Sequence, residues 1–142
     1  MKILVPVDGS APANRAVAHA IRMIRGRPEA EIILVNVQDR ETLDVSDISA
    51  VMTVEADRAS AARQSKEALR KAVALCRKAE VKFESRAEIG PIAATINSIA
   101  RTTKADQIVM GTRGMGTLRA LLLGSVVTEV VHLARLPVTL VK

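Results

Sequence analysis

Short apolar runs recur along this chain, and each pair is separated by a stretch long enough for one helix. That rhythm limits the fold more than any other feature. Ile3-Leu4-Val5-Pro6-Val7 is continuous and apolar, as a strand covered on both faces must be, and residues 31–37 repeat the pattern. A third such run spans residues 105–110, and Pro137-Val138-Thr139-Leu140-Val141 closes the chain. Residues 81–88 instead alternate, which predicts an edge strand with one wet face. Between these runs lie helical patterns. Residues 11–25 place Ala16, Val17, Ala20, Ile21 and Ile24 on one face, and Gly26 and Pro28 end the helix. A long Ala-, Arg-, Lys- and Glu-rich helix is expected over 54–79. A third begins at Gly90-Pro91 with Ile92, Ala93, Ile96, Ile99 and Ala100 inward, and a fourth runs over 126–136 from Ser125. Residues 39–53 have no clean period and read as a loop, at most with a short helical turn.

Strand and helix alternating four times before a final strand specify an α/β fold, a doubly wound five-stranded parallel sheet with helices on both faces. The order 3-2-1-4-5 is expected, which makes the first and fourth strands neighbours where the winding reverses. Ligands of such sheets bind there, at the strand carboxyl ends. With 142 residues, 49% of them hydrophobic, the chain suffices for one domain over 1–142 with a full core.

The two loops that this topology brings to the crevice are the least ordinary in the sequence. Asp8-Gly9-Ser10 follows the first strand and ends in a helix-cap residue. After the fourth strand comes Gly111-Thr112-Arg113-Gly114-Met115-Gly116-Thr117-Leu118-Arg119, then Ala120 to Gly124 and Ser125. A glycine-bearing loop that opens a helix can accept an anion, because the first helical N–H groups lack partners and carry partial positive charge. It is not a P-loop, since Thr117 stands where lysine is required, nor a dinucleotide fingerprint, since Arg119 takes the last glycine position. What remains is Gly111, Gly114, Gly124 and Ser125: Gly, two residues, Gly, nine residues, Gly-Ser.

This spacing resembles the nucleotide-binding signature of the universal stress protein family, in its ATP-binding branch. The likeness runs through the opening Ile-Leu-Val-Pro-Val-Asp-Gly-Ser, the run from Asp106 to Gly114, and Leu136-Pro137-Val138. It implies an adenine nucleotide alpha hydrolase-like fold and a homodimer paired through the last strand. ATP, or ADP or AMP, with or without magnesium, is the implied ligand. Pro6, Val7 and Asp8 would lie along the nucleoside, with the Asp8 carboxylate near ribose hydroxyls or a phosphate-bound cation. Val37 would line the adenine pocket, and Met110 and Gly111 would pass the ribose and α-phosphate. Gly114, Gly124, Ser125 and Val126 would surround the phosphates with N–H groups. Val127 departs from the family pattern, which often has a hydroxyl there, and offers only its backbone; Arg113 and Arg119 are the cations able to compensate.

Each feature has an ordinary alternative. Asp8 is also a turn residue, the glycines also serve turns, Gly124-Ser125 starts helices in many proteins, and the two arginines also suit a solvated surface. His19 and His132 have no histidine or cysteine at metal spacing and read as neither ligands nor bases. Cys76 reads as a small buried hydrophobe, and Leu121-Leu122-Leu123 as a local or partner contact. The net charge of +6 is spread rather than clustered, and Phe83 is the sole aromatic, so no stacking platform for nucleic acid exists. One cysteine, no span of about 20 apolar residues and a strand at the very start predict a cytoplasmic protein without a signal peptide. The expected function is an adenine-nucleotide-binding stress protein acting as sensor or regulator. The rivals are a nucleotide-free interaction protein and a slow ATPase or autophosphorylating protein. No constellation for efficient catalysis is present.

Overall fold

A computed structural model describes residues 1–39, 50–113 and 123–142. Its elements are β1 (Lys2–Pro6), α1 (Ala11–Ile24), β2 (Glu31–Gln38), α2 (Ala50–Lys78), β3 (Phe83–Ile89), α3 (Ile92–Thr102), β4 (Gln107–Gly111), α4 (Ser125–Leu133) and β5 (Val138–Val141). The strands form one sheet in the order β3-β2-β1-β4-β5, every pair parallel, as expected.

Strand alternation assigns the core to two faces. Ile3, Val5, Ile32, Leu34 and Val109 point to one side, where they pack with Ala16, Val17 and Ala20 of α1 and Leu69, Ala72 and Cys76 of α2. Leu4, Ile33, Val35, Ile108 and Met110 point to the other, against Ala93, Ile96 and Ala100 of α3 and Val127 and Val130 of α4. Two helices therefore cover each face, and β1, β2 and β4 need apolar side chains at consecutive positions. The outer strands differ. β3 has no fully buried residue and its burial does not strictly alternate, Phe83 and Glu84 both being partly buried and Ala87 to Ile89 all exposed; its Arg86 pairs with Glu84 at 2.8 Å. All four β5 residues are half-buried.

Element bounds shift from the sequence reading at several places, β3 running Phe83–Ile89 rather than 81–88, and three of the shifts have a clear local cause. α2 begins at Ala50, four residues before the expected start at 54; Ala50 and Met52 favour helix and no glycine or proline interrupts the segment, so no clean amphipathic period is needed. The rest of the segment read as a loop, 40–49, lies outside the described residues. α4 ends at Leu133, not at 136: Ala134 turns extended at ψ 136°, and Leu136 precedes a proline that disfavours helical geometry. β4 starts at Gln107, two residues after the apolar run begins, since Ala105 and Asp106 complete the turn from α3.

Cys76 is fully buried in the α1–α2 core, and this burial raises its thiol from 9.0 to about 11. The folded thiol should therefore be inert to a thiol reagent at pH 8 and react only on unfolding. Because the native state holds this proton more tightly, its contribution to stability is intact below pH 9 and declines as pH rises toward 11. The difference between the urea midpoints of wild type and Cys76→Ala, compared across pH 8–11, should change in favour of the variant in that window, with wild type losing more.

Candidate functional site

The crevice forms where two strands stop pairing. β1 and β4 are in register at Ile3↔Gln107 and Leu4↔Ile108, although β1 runs on to Pro6 and β4 to Gly111. Helices leave β1 and β4 toward opposite faces, so the space between their carboxyl ends is left open. A cavity of about 520 Å³ lies there, within the size range of small-molecule sites.

One wall is the β1–α1 turn. Pro6, Val7 and Asp8 all line the cavity. Ser10 caps α1 by accepting from the Ala13 N–H at 3.2 Å, and its own N–H donates to Asp8 Oδ1 at 2.9 Å. Gly9 between them has φ +86°, and a Cβ there would approach Ala68 Cα to 3.3 Å. Only glycine satisfies both conditions without strain.

The opposite wall comes from β4 and α4. Met110, Gly111 and Arg113 reach the cavity from β4, and Gly124, Ser125, Val126 and Val127 from the start of α4. Both ends of the intervening loop are tied. The Gly124 N–H donates to the Thr112 carbonyl at 3.1 Å, and the Thr112 N–H donates to the Val141 carbonyl at 3.0 Å. α4 has no side-chain cap, and its ladder begins with Thr128 N–H to Gly124 O at 3.0 Å. The Ser125, Val126 and Val127 N–H groups thus lack intrahelical acceptors and present the positive end of the helix. The Val127 side chain is 3% exposed and packs in the core, so only its backbone can serve a polar ligand.

The floor is apolar. Val35 and Val37 of β2 and Ile92 and Ile96 of α3 complete it, together with Met110 and Val126. Asp8 and Arg113 are the charged lining residues among those described, and no group there is built to hold a metal by protein ligands alone. A single carboxylate does suit a divalent cation that arrives with phosphate oxygens as its other ligands.

Of the twelve residues singled out from the sequence, eleven line this one cavity; Gly114 lies outside the described residues, as do Arg119, Leu121 and Leu122. Leu123, by contrast, is exposed and contributes to the rim. Sequence reasoning passed over Ala13, Val35, Asn36, Ile92 and Ile96. The isoleucines were read as core, and they are both core and lining because α3 stands over the carboxyl end of the sheet. Asn36 carried a legible signal, an amide within an otherwise apolar strand.

The model of the universal stress protein family matches residues 1–142. The chain belongs to the universal stress protein family. A curated relative, universal stress protein MJ0531 of Methanocaldococcus jannaschii, is 34% identical across 99% of this chain and 81% of its own length. Among solved structures, protein MJ0577 superposes with a TM-score of 0.80 at 29% identity, covering 99% of this chain and 94% of that one. A universal stress protein in complex with cAMP matches at TM-score 0.65 and 23% identity, over 100% of this chain and 96% of that one. An Arabidopsis thaliana member with AMP bound matches at 0.70 and 21%, over 100% of this chain and 91% of that one. These two share the fold.

The tightest point of the site is Gly111. A Cβ there would lie 2.7 Å from the Pro12 carbonyl carbon and Cβ, both held in the first turn of α1. Gly111→Ala should cost about 1–3 kcal/mol through this overpacking, read as a lowered urea midpoint with an unchanged slope.

Proposed function

We propose that this protein binds an adenine nucleotide in the β1–β4 crevice and acts as a sensor or regulator in a stress response. One observation carries the reading: an apolar floor, a carboxylate held by its own turn, and the uncapped N-terminus of α4 converge on a single cavity. A nucleotide has the matching parts, an apolar base, a hydroxylated ribose and an anionic tail. Family members solved with AMP and with cAMP support the same ligand class.

In this reading the base lies against Val37, Val35 and Ile92. Pro6, Val7 and Asp8 flank the nucleoside, and the free Asp8 oxygen meets ribose hydroxyls or a magnesium ion carried by the phosphates. Met110 and Gly111 pass the ribose and first phosphate, and the N–H groups of Ser125, Val126 and Val127 take phosphate oxygens. Gly114 belongs to the same loop. With no hydroxyl at Val127, the side-chain grip on a third phosphate falls to Arg113, which has no bonded partner among the described residues. Any preference for ATP over ADP should therefore rest on this one guanidinium and shrink in Arg113→Ala.

We also propose that the protein is a cytoplasmic homodimer joined through β5. The two sheet edges support this. The β3 edge is charged with Glu84, Arg86 and Glu88, which discourages strand addition, while Val138, Thr139, Leu140 and Val141 on the β5 edge carry no charge. Val131 and Leu133 of neighbouring α4 are each 43% exposed. No helix among the described residues is long and apolar enough to cross a membrane.

Calorimetric titration of nucleotide-stripped protein with AMP, ADP and Mg-ATP tests the ligand. Binding of roughly −7 to −9 kcal/mol is expected. Asp8→Ala should weaken it by about ten- to a hundredfold, the range for a hydrogen bond to a charged group. Folded protein that gives no heat with any of the three would refute the reading and leave an interaction protein with an empty glycine loop. For assembly, sedimentation should report a dimer that Leu140→Lys converts to monomer; a monomeric wild type at micromolar concentration would exclude the β5 pairing.

A further inference from the structure

Val7 joins β1 to the Asp8 turn, and β2 holds its peptide groups on both sides. The Val7 N–H donates to the Val35 carbonyl at 2.8 Å. The Val7 carbonyl accepts from Asn36 Nδ2 at 2.7 Å. Asn36 is 3% exposed and sits on the sheet face that otherwise carries Ile32 and Leu34. Its Oδ1 accepts twice, from the Ser65 hydroxyl of α2 at 2.8 Å and from Gln38 Nε2 at 2.8 Å. Ser65 is itself 2% exposed. Two donors on the amide oxygen and a carbonyl on the amide nitrogen leave Asn36 one orientation.

This network reaches the site through geometry. A peptide unit is planar, so pinning the Val7 carbonyl also sets the direction of the Asp8 N–H and the starting direction of the Asp8 side chain. The Ser10 N–H then holds Asp8 Oδ1, which leaves the second oxygen for a ligand. α2 touches the same turn again at Ala68, three residues beyond Ser65 on the same helix face, where it backs Gly9. An apolar side chain at position 36 would continue the face of Ile32 and Leu34 without burying an amide. The buried network therefore specifies a geometry that hydrophobic packing alone would leave loose.

We propose that Asn36 and Ser65 are positioning residues of the site. They fix the Asp8 carboxylate by locking the Val7–Asp8 peptide to β2 and α2, and so make the placement of α2 a determinant of ligand affinity. The affinity part of this inference rests on the nucleotide reading above; the geometric part does not.

The test has two arms. In nucleotide-free protein, amide hydrogen exchange at Val7 and Ser10 should quicken at least tenfold in Ser65→Ala and in Asn36→Ala, relative to the amides of α3. In titration with AMP, Asn36→Ala should weaken binding at least tenfold and Ser65→Ala about fivefold. Ser65→Ala should add no further loss in an Asp8→Ala background, because its effect passes through that carboxylate. Ser65→Ala removes one hydroxyl and suits a helix, so it keeps the test decisive if Asn36→Ala fails to fold. Exchange within twofold of wild type in folded Ser65→Ala would overturn the proposal, as would an affinity loss that persists when Asp8 is absent. If wild type takes up no nucleotide, the ligand reading falls by itself, and exchange at Val7 and Ser10 decides whether the network sets the turn.

Discussion

Covering a parallel sheet on both faces is the constraint from which the rest follows. β1 is central, and its Ile3, Leu4 and Val5 are fully buried although successive side chains point to opposite sides. Neither face can be left to water, so the helices divide into the α1–α2 layer and the α3–α4 layer. That division requires the winding to reverse once, between β1 and β4. The loops leaving these strands part at that point, and the crevice is the geometric remainder. The site is thus a consequence of how the core is buried, and the chain had only to furnish the loops with suitable chemistry.

That chemistry is mostly backbone. Among the described residues the cavity has one carboxylate, one guanidinium, the Asn36 amide and the Ser125 hydroxyl, and the rest of its polarity comes from peptide groups at the start of α4 and in the β1–α1 turn. Peptide dipoles cost no side-chain entropy to place, and once the strand end and helix start are fixed their direction is fixed too. Glycine serves such a site by letting main chain approach main chain. Gly111 lies so near Pro12 that the end of β4 and the first turn of α1 meet without a side chain between them.

The fold was legible because its signal is redundant. Each inner strand is a run of consecutive apolar residues, each helix has an apolar stripe, and the number and order of elements leave few topologies. Among the boundaries that moved, those at Ala50, Gln107 and Leu133 lie where the periodic pattern fades and local capping or a following proline decides. The candidate lining was legible where it lay in turns, since Asp8, Gly111 and Gly124 are odd residues for ordinary connections. It was illegible where lining and core coincide. Ile92, Ile96 and Val35 satisfy a core pattern fully, and only their position at the carboxyl end of the sheet makes them line a cavity. Asn36 differs from these: its residue type was visible, but its partners Val7 and Ser65 lie 29 residues away on either side, and sequence pattern carries no such pairing.

The two walls of the crevice are fastened in different ways, and the difference has a mechanical meaning. The β1 wall is bolted inward to β2 and α2 by buried side-chain hydrogen bonds around Asn36. The β4 wall is tied outward. Its Gly124 N–H meets the Thr112 carbonyl, and the Thr112 N–H meets Val141, the last residue of β5. One residue, Thr112, therefore connects the N-terminus of α4, which faces the cavity, to the edge strand of the sheet. A molecule bridging Asp8 and the first turn of α4 would contact both the wall anchored in the α1–α2 layer and the wall anchored to the edge. Thr112 thus fastens the cavity-facing end of α4 to the sheet edge with its peptide N–H and carbonyl alone, in addition to the packing of Val138 and Leu140 against the cluster that holds Val127 and Val130.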